Sequence, residues 1–571
     1  MRDLPRFEPL DDRIVLDGEA QVTVSGPTDV ELGAQDVEFT LTFDNVHSTD
    51  TGYLPFIDVV LPTLGPDGYD GVSFDSATFL GGAIDTTQLV FDTNGEAVHP
   101  IAVDNLGDPL VVTGTPGETL LVFTLPYGSF SPGNPAVDVV MTLDFSDKAD
   151  LAHTVDLKTR AGFALGNDPL DNPTADPSTL STFSTTSVGK TLFELTKTNS
   201  APENEAATGP SYVYEYTLEV TVAPGQTLTD FNLVDTLPPE IVYMGNLVTS
   251  PTATINTEPT AGQPAGTGNN TLDLTFASIV GDPVTGNAVV TFDYYIDETA
   301  AGTTTPTIPV NSGDPANVAN TVTGSGQWDP LDTNDPVETI SATATNCQDA
   351  VSLAVQKSAT LVDDTNLTGV ISPDDVYRFT LDIQVSDYFT YGDITVTDVL
   401  GNGWEYLNTS SYAPTLTTTE SSGGAVTNAA LLPQETTNFD TNTGKTTVVW
   451  DISQALVYAG SDAILTGDDA DGTPGGTSTT ATITYYARIL GNLTDDGNIG
   501  EIPFTQGDLL RNTATISASV RDNGDPTSIL GTETDDTRTS LQTPFGQIDS
   551  KTVSFINGAA PTPGLSIAAG D

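Results

Sequence analysis

The sequence predicts an all-β chain, a tandem series of immunoglobulin-like β-sandwich domains, and three observations predict it. Short stretches alternate apolar and polar residues with period two, clusters of Gly, Pro, Asn and Asp punctuate them, and one block of motifs recurs in fixed order along the 571 residues. Alternation over a few residues suits antiparallel strands with one buried face, and the close turn punctuation favours sandwiches over parallel sheets. Hydrophobic residues make up 37% of the chain and charged residues only 16%, a globular composition and not that of a disordered acidic tail. At roughly 150 residues per domain the length allows about four domains.

Taken in chain order, residues 1–19 form an N-terminal segment without an uninterrupted apolar run, so neither an ordinary signal peptide nor a membrane span is expected. Residues 20–190 read as a degenerate sandwich: Val37-Glu-Phe-Thr-Leu41 is a half-buried strand, and Asn167-Asp-Pro-Leu-Asp171 mirrors Trp328-Asp-Pro-Leu-Asp332. Residues 191–350 and 351–546 are two clearer copies. Phe193-Glu-Leu-Thr-Lys197 is echoed by Leu353-Ala-Val-Gln-Lys357, Tyr214-Glu-Tyr-Thr-Leu218 by Tyr377-Arg-Phe-Thr-Leu381, and Leu233-Val-Asp235 by Val396-Thr-Asp398. Late in each copy Tyr294-Tyr295 and Tyr485-Tyr486 precede Asn320-Thr-Val322 and Asn512-Thr-Ala514. Residues 547–571 begin a further repeat with Lys551, so the sequence reads as a piece of something longer. Short acidic linkers are expected in the Asp/Pro/Thr-rich segments 166–189, 327–350 and 521–546, where apolar periodicity fades.

The charge excludes several functions. Sixteen Lys and Arg against 78 Asp and Glu leave a net charge of −62, which repels phosphate backbones and anionic headgroups, so no nucleic-acid partner is expected. One cysteine, Cys347, makes no internal disulfide, and three histidines supply little for zinc or imidazole catalysis. No phosphate loop, serine elbow or singled-out carboxylate pair appears, so no turnover site is assigned. Acidic turns at Asp67 to Gly71, at Asp468, Asp469 and Asp471, and at Asp332, Asn334 and Asp335 offer oxygens that Ca²⁺ uses, without the spacing of a twelve-residue calcium loop. Ca²⁺ is thus the one cofactor considered, and none is required. Trp328 and Trp404 are weighed as ligand platforms or core packing, with core packing favoured.

Strand parity supplies the sharpest reading, because residues i, i+2 and i+4 share one face. Lys197 shares a face with Phe193 and Leu195, and Lys357 with Leu353 and Val355. Asp235 follows Phe231 and Leu233, Asp398 follows Ile394 and Val396, Asn320 lies between Val318 and Val322, and Asn512 between Leu510 and Ala514. Each copy therefore aims a Lys, an Asp and an Asn at its core. Burying an ammonium and a carboxylate costs several kcal/mol each unless they pair or neutralise, so a repeated trio demands a reason. Three of the seven lysines, Lys197, Lys357 and Lys551, occupy the repeat-start position. A buried Lys–Asp ion pair capped by an Asn hydrogen bond satisfies the residues; so does a covalent link.

These motifs resemble the isopeptide-forming domains of bacterial fimbriae and adhesins, and the surface-protein repeat called domain of unknown function eleven, over about residues 191–546. The signature is carried by Lys197, Asp235-Thr-Leu-Pro238 and Asn320, and by Lys357, Asp398-Val-Leu400 and Asn512, departing at Gly401 where such repeats usually have Pro. The resemblance implies autocatalytic Lys197–Asn320 and Lys357–Asn512 bonds tying first strand to last, with Asp235 and Asp398 as proton shuttles. In the first copy Val22 or a neighbour, Val59 and Lys158 stand at the corresponding positions, so no cross-link is expected there. Residues Phe7 to Asp17 are similar to a short tag opening many large bacterial exoproteins. The functional expectation is an extracellular, cell-surface structural stalk, with an unknown surface glycan or protein as partner, or self-association in a surface layer or fibre. The alternatives are an adhesive or assembly head in residues 20–190 carried by uncross-linked spacers, or the non-catalytic part of a larger secreted enzyme.

Overall fold

The structure is a computed structural model. It describes residues 18–542 apart from 64–70, 105, 152, 166–177, 264–268, 283–286, 305, 309–315, 366–370, 421–423, 469–476, 495–501, 504–506 and 523–524. The acidic turn at 67–71, save Gly71, and the residues Asp469, Asp471 and Lys551 lie outside the described residues.

The fold is all-β, and the period-two alternation is its cause. Tyr214–Val222 buries every second side chain, and Thr480–Ile489 does the same. Two such faces close on each other to make a sandwich core. The described residues build three sandwiches with a common strand order.

In the second, one sheet runs Phe193–Asn199, Tyr214–Val222, Ala288–Ile296, Ile241–Ser250. Its facing sheet runs Glu205–Ala207, Glu338–Val351, Ala316–Trp328, Thr227–Thr236, Thr271–Val280, Thr254–Thr257. The third repeats this with Leu353–Asp363, Val376–Val385 and Thr480–Ile489 facing Asp525–Gln542, Leu509–Asp522, Phe389–Leu400 and Lys445–Asp451. The first has Ala20–Ser25, Val37–Asn45, Val137–Phe145 and Val72–Phe79 facing Ser184–Thr191, Val155–Leu165, Gly52–Leu61 and Thr119–Thr124.

Two of the stretches read as linkers contain long strands. Glu338–Val351 and Asp525–Gln542 pair along their length with the strands before them. Ser184–Thr191, at the end of the first stretch, pairs with Val155–Leu165. Apolar periodicity fades in these strands because their inward faces carry small and polar residues, such as Ala342, Ala344, Asn346 and Gln348 or Asp535, Thr537 and Thr539, while β-branched Thr keeps the extended backbone favourable. A single residue, Leu192 or Ser352, separates the last strand of one sandwich from the first strand of the next.

The first sandwich carries an extra layer. The hairpin of Glu96–Val103 and Pro109–Thr113 covers the outer face of its second sheet, with a small core of Phe56, Val60, Leu120 and Val122 against Ala97, Ala102 and Val112. Gly52–Leu61 is consequently buried on both faces over most of its length. Asp58 anchors this layer: its carboxylate meets His99 Nε2 at 2.9 Å and accepts from Arg160 Nε at 2.7 Å. His99 Nδ1 accepts from the backbone amides of Ile101 and Ala102, which places the ring proton on Nε2, facing the carboxylate. Among the described residues no helix is long and apolar enough to cross a membrane.

Candidate cross-linking sites

In the second sandwich the lysine strand Phe193–Asn199 is an edge strand of one sheet, while the aspartate strand Thr227–Thr236 and the asparagine strand Ala316–Trp328 are neighbours in the other. Asp235 stands directly opposite Val322, so Asn320, two residues earlier, is its diagonal neighbour on the core face. The third sandwich repeats the register: Asp398 stands opposite Ala514, and Asn512 is two residues earlier. Lys197, Asp235 and Asn320 are buried, as are Lys357, Asp398 and Asn512.

The lysine reaches across the core to the carboxylate. Lys197 Nζ donates to Asp235 Oδ2 at 2.5 Å, and Lys357 Nζ donates to Asp398 Oδ2. Aromatic rings pack beside each ammonium: Lys197 Nζ is 4.6 Å from the Tyr216 ring centre, and Lys357 Nζ lies 5.5 Å from Phe379 and 5.6 Å from Tyr485.

Burial dominates the electrostatics of both pairs. It pushes Lys197 and Lys357 down to about 8 against the opposing pull of the carboxylates. It raises Asp235 and Asp398 against the pull of the lysines. Desolvation disfavours both charges, so transfer of one proton from amine to carboxylate becomes accessible.

The polar atoms of both trios are incompletely paired. Both side-chain atoms of Asn320, Oδ1 of Asn512, and Oδ1 of Asp235 and Asp398 are buried without a hydrogen-bond partner of good geometry. Asn320 still lies close enough to hold down the raised pKa values of Asp235 and Tyr216. Each such orphan atom costs about 1–3 kcal/mol.

Three sequence readings need correction. The asparagines lie on the penultimate strand of each unit, because Glu338–Val351 and Asp525–Gln542 follow. The tyrosine pairs are not equivalent: Tyr485 stands opposite Phe379, and the matching position opposite Tyr216 is Phe292, two residues before Tyr294. In the first sandwich Lys158 is not at the asparagine position; it turns away from the main core and pairs with Glu118 at 2.7 Å, whereas Leu157 and Val59 lie in that core with Val22.

Gly401, where Pro was expected, donates its amide to Arg511 O at 2.8 Å, beside Asn512. Proline has no amide to donate, so glycine ties this turn to the asparagine strand.

Sequence reasoning missed the tyrosine hydroxyls. Tyr485 donates to Asp398 Oδ2 at 2.7 Å and accepts from Asn512 Nδ2 at 2.8 Å. In the second unit Tyr216 accepts from Gln348 Nε2 at 3.0 Å, and Tyr294 donates to Gln348 Oε1. The ring beside the lysine was the available signal, but its partner depends on register across strands far apart in sequence.

Of the acidic turns, Asp332 is buried, and its Oδ1 accepts from the backbone and side-chain nitrogens of Asn334 at 2.8 and 2.9 Å. Asp335 donates its backbone amide to Asp332 O. Among the described residues, which include Asp468, no group of three His, Cys, Asp or Glu is placed to hold a metal ion. Trp328 and Trp404 are buried core residues.

No family model and no curated protein matches this chain. Among solved structures it is similar to the C-terminal domain of an AgI/II polypeptide of Streptococcus agalactiae, at 11% identity and a TM-score of 0.19, covering 61% of this chain and 100% of that one. It is also similar to the major pilin subunit of Bacillus cereus (10% identity, TM-score 0.20, 54% of this chain, 89% of that one). A third is a collagen adhesin from S. aureus (11% identity, TM-score 0.16, 60% of this chain, 93% of that one).

Proposed function

We propose that the chain is an extracellular stalk of bacterial surface type whose second and third sandwiches are stapled by Lys197–Asn320 and Lys357–Asn512 isopeptide bonds. The observation that carries this reading is the buried Lys–Asp–Asn constellation with unpartnered carboxamide oxygens, present in the same register in two units. Proton transfer gives a neutral amine and a protonated carboxyl. The amine nitrogen attacks the asparagine Cγ, and the carboxyl supplies the oxygen with a stabilising proton. On collapse the proton shared with the oxygen passes to Nδ2, the Cγ–Nδ2 bond breaks with its electron pair on nitrogen, ammonia leaves, and the second amine proton restores the carboxyl. The reaction happens once per site and does not turn over.

The staple joins the two sheets, from an edge strand of one to the asparagine strand of the other. Tension entering at Leu192 then passes from Lys197 to Asn320 through a covalent bond. The closing strand Glu338–Val351 stays outside the ring and is held by its ladder. A loop-entropy model borrowed from disulfides gives about 5 kcal/mol for each closed ring. The partner remains an unassigned surface glycan or protein, and a charge of −62 keeps the stalk soluble.

A second reading, favoured by the extra hairpin layer of the first sandwich and by an open groove of 640 Å³ lined by Ala20, Val46, His47, Thr159 and Leu180, makes that unit an adhesive head. Denaturing mass spectrometry of the full chain decides about the staples: two ammonia masses are missing if both form, and none if the constellation is only an ion pair.

A further inference from the structure

The two trios differ in one respect that bears on the proton route, and the following rests on the staple reading. In the third sandwich the Tyr485 hydroxyl stands between Asp398 Oδ2, at 2.7 Å, and Asn512 Nδ2, at 2.8 Å. Nδ2 is the nitrogen that must depart. The ring is fully buried, stacked on Phe379 at 5.3 Å and packed against Trp450 at 5.1 Å.

In the second sandwich the corresponding position is Phe292. The phenol there belongs to Tyr216 on the neighbouring strand, and its oxygen accepts from Gln348 while its ring stacks on Tyr294 at 4.0 Å. The Tyr216 hydroxyl lies near Asn320 and holds its proton more tightly through burial and the nearby Asp235 charge. Neither side-chain atom of Asn320 has a hydrogen-bond partner of good geometry, however, so no hydroxyl bridges it to Asp235 as Tyr485 bridges Asn512 to Asp398.

We infer that Tyr485 is a catalytic proton relay for closure of the third sandwich, passing the Asp398 proton to the departing nitrogen of Asn512, and that the second sandwich closes without this relay. Before attack Nδ2 is a planar amide and donates to the phenol oxygen. After Lys357 Nζ bonds to Cγ, Nδ2 becomes an amine with a free lone pair. The hydrogen bonds then reverse: Asp398 gives its proton to the phenol oxygen, and the phenol gives its own to Nδ2. The Cγ–Nδ2 bond breaks with its electron pair leaving on nitrogen, ammonia departs, and the proton lost by Lys357 returns Asp398 to its acid form. Atoms balance as amine plus carboxamide to amide plus ammonia, with Asp398 and Tyr485 regenerated. Burial and the neighbouring Asp398 push the Tyr485 hydroxyl well up, so it stays protonated and serves as donor and acceptor together.

The test follows closure in the full chain made by cell-free translation. Samples are quenched in acid denaturant at intervals, and cross-linked peptides of each unit are quantified by mass spectrometry. Tyr485→Phe is expected to slow the third unit about 100-fold, in the range of general acid–base effects, and to leave the second unit's rate unchanged in the same molecules. Closure of the third unit at the wild-type rate in Tyr485→Phe overturns the relay. Site-specific replacement of Tyr485 by fluorotyrosine keeps the ring and the geometry but makes the hydroxyl more acidic, and is expected to change the third unit's rate about threefold. An unchanged rate with fluorotyrosine reduces Tyr485 to a support for Asn512 and overturns the relay, even where Tyr485→Phe is slow or fails to fold. If neither unit closes in the wild-type chain, the staple reading itself falls, and the relay with it.

Discussion

Pulling the chain by its ends separates a stapled sandwich from an unstapled one by length alone. From Phe193 to Val351 the second unit holds about 160 residues, which at about 3.5 Å each would release about 550 Å on complete unravelling. A Lys197–Asn320 bond locks away the intervening 120 or so residues, about 430 Å, leaving about 120 Å. Most of that remainder is the end of the asparagine strand and the closing strand Glu338–Val351, which peel from each other because both lie beyond the staple. Asp235→Ala removes the proton shuttle and restores the hidden length. The assay is single-molecule force spectroscopy on the full chain, comparing the length released by the second unit in wild-type and Asp235→Ala molecules. Release of about 550 Å in both would refute the staple, and no release below the rupture force of covalent handles would refute the placement of the closing strand outside the ring.

Other outcomes follow from the same geometry. At the junction of the second and third sandwiches, burial raises Glu205 to about 8, with Asp535, Glu203, Asp349 and Asp536 adding to it, and raises Asp535 and Asp387 to about 6. Each of these carboxyls holds its proton more tightly folded than unfolded, so their contribution is fully present below the ordinary carboxylate range of about 4 and is lost as pH rises through about 6 and then about 8. Melting temperature of the full chain is expected to fall between pH 5 and pH 8.5, less steeply in Asp535→Asn; an equally steep fall in the variant would contradict this. Gly324→Ala places a Cβ 2.7 Å from the Phe231 ring and 3.2 Å from Leu195, an overpacking expected to destabilise by about 1–3 kcal/mol in urea titration. Lys158→Met breaks a pair whose lysine is 39% exposed, so a change below about 1 kcal/mol and no change in missing ammonia are expected.

The sandwich fold and the buried trios were legible because both rest on period two. Phe231, Leu233 and Asp235 declare one face however the strands are arranged, and Ile394, Val396 and Asp398 repeat the message. What parity cannot carry is register between distant strands. That Tyr485 meets Asn512 depends on Phe379 standing opposite it and on Asp398 standing opposite Ala514, pairings that no local pattern specifies. The closing strands escaped because their inward faces are built largely of small and polar residues and so lack the apolar half of the alternation, which made Glu338–Val351 and Asp525–Gln542 look like linkers. The Asp58, His99 and Arg160 cluster escaped for the opposite reason. Gly52–Leu61 is buried on both faces, so its apolar run hides which side Asp58 takes.

The most direct test of the central claim is protease digestion of the purified full chain followed by fragmentation mass spectrometry of branched peptides. The account predicts one branched species joining the Lys197 and Asn320 peptides and another joining those of Lys357 and Asn512, each lacking one ammonia, with the first absent from Asp235→Ala and the second from Asp398→Ala. Recovery of all four peptides as unbranched, full-mass species from the wild-type chain would contradict it.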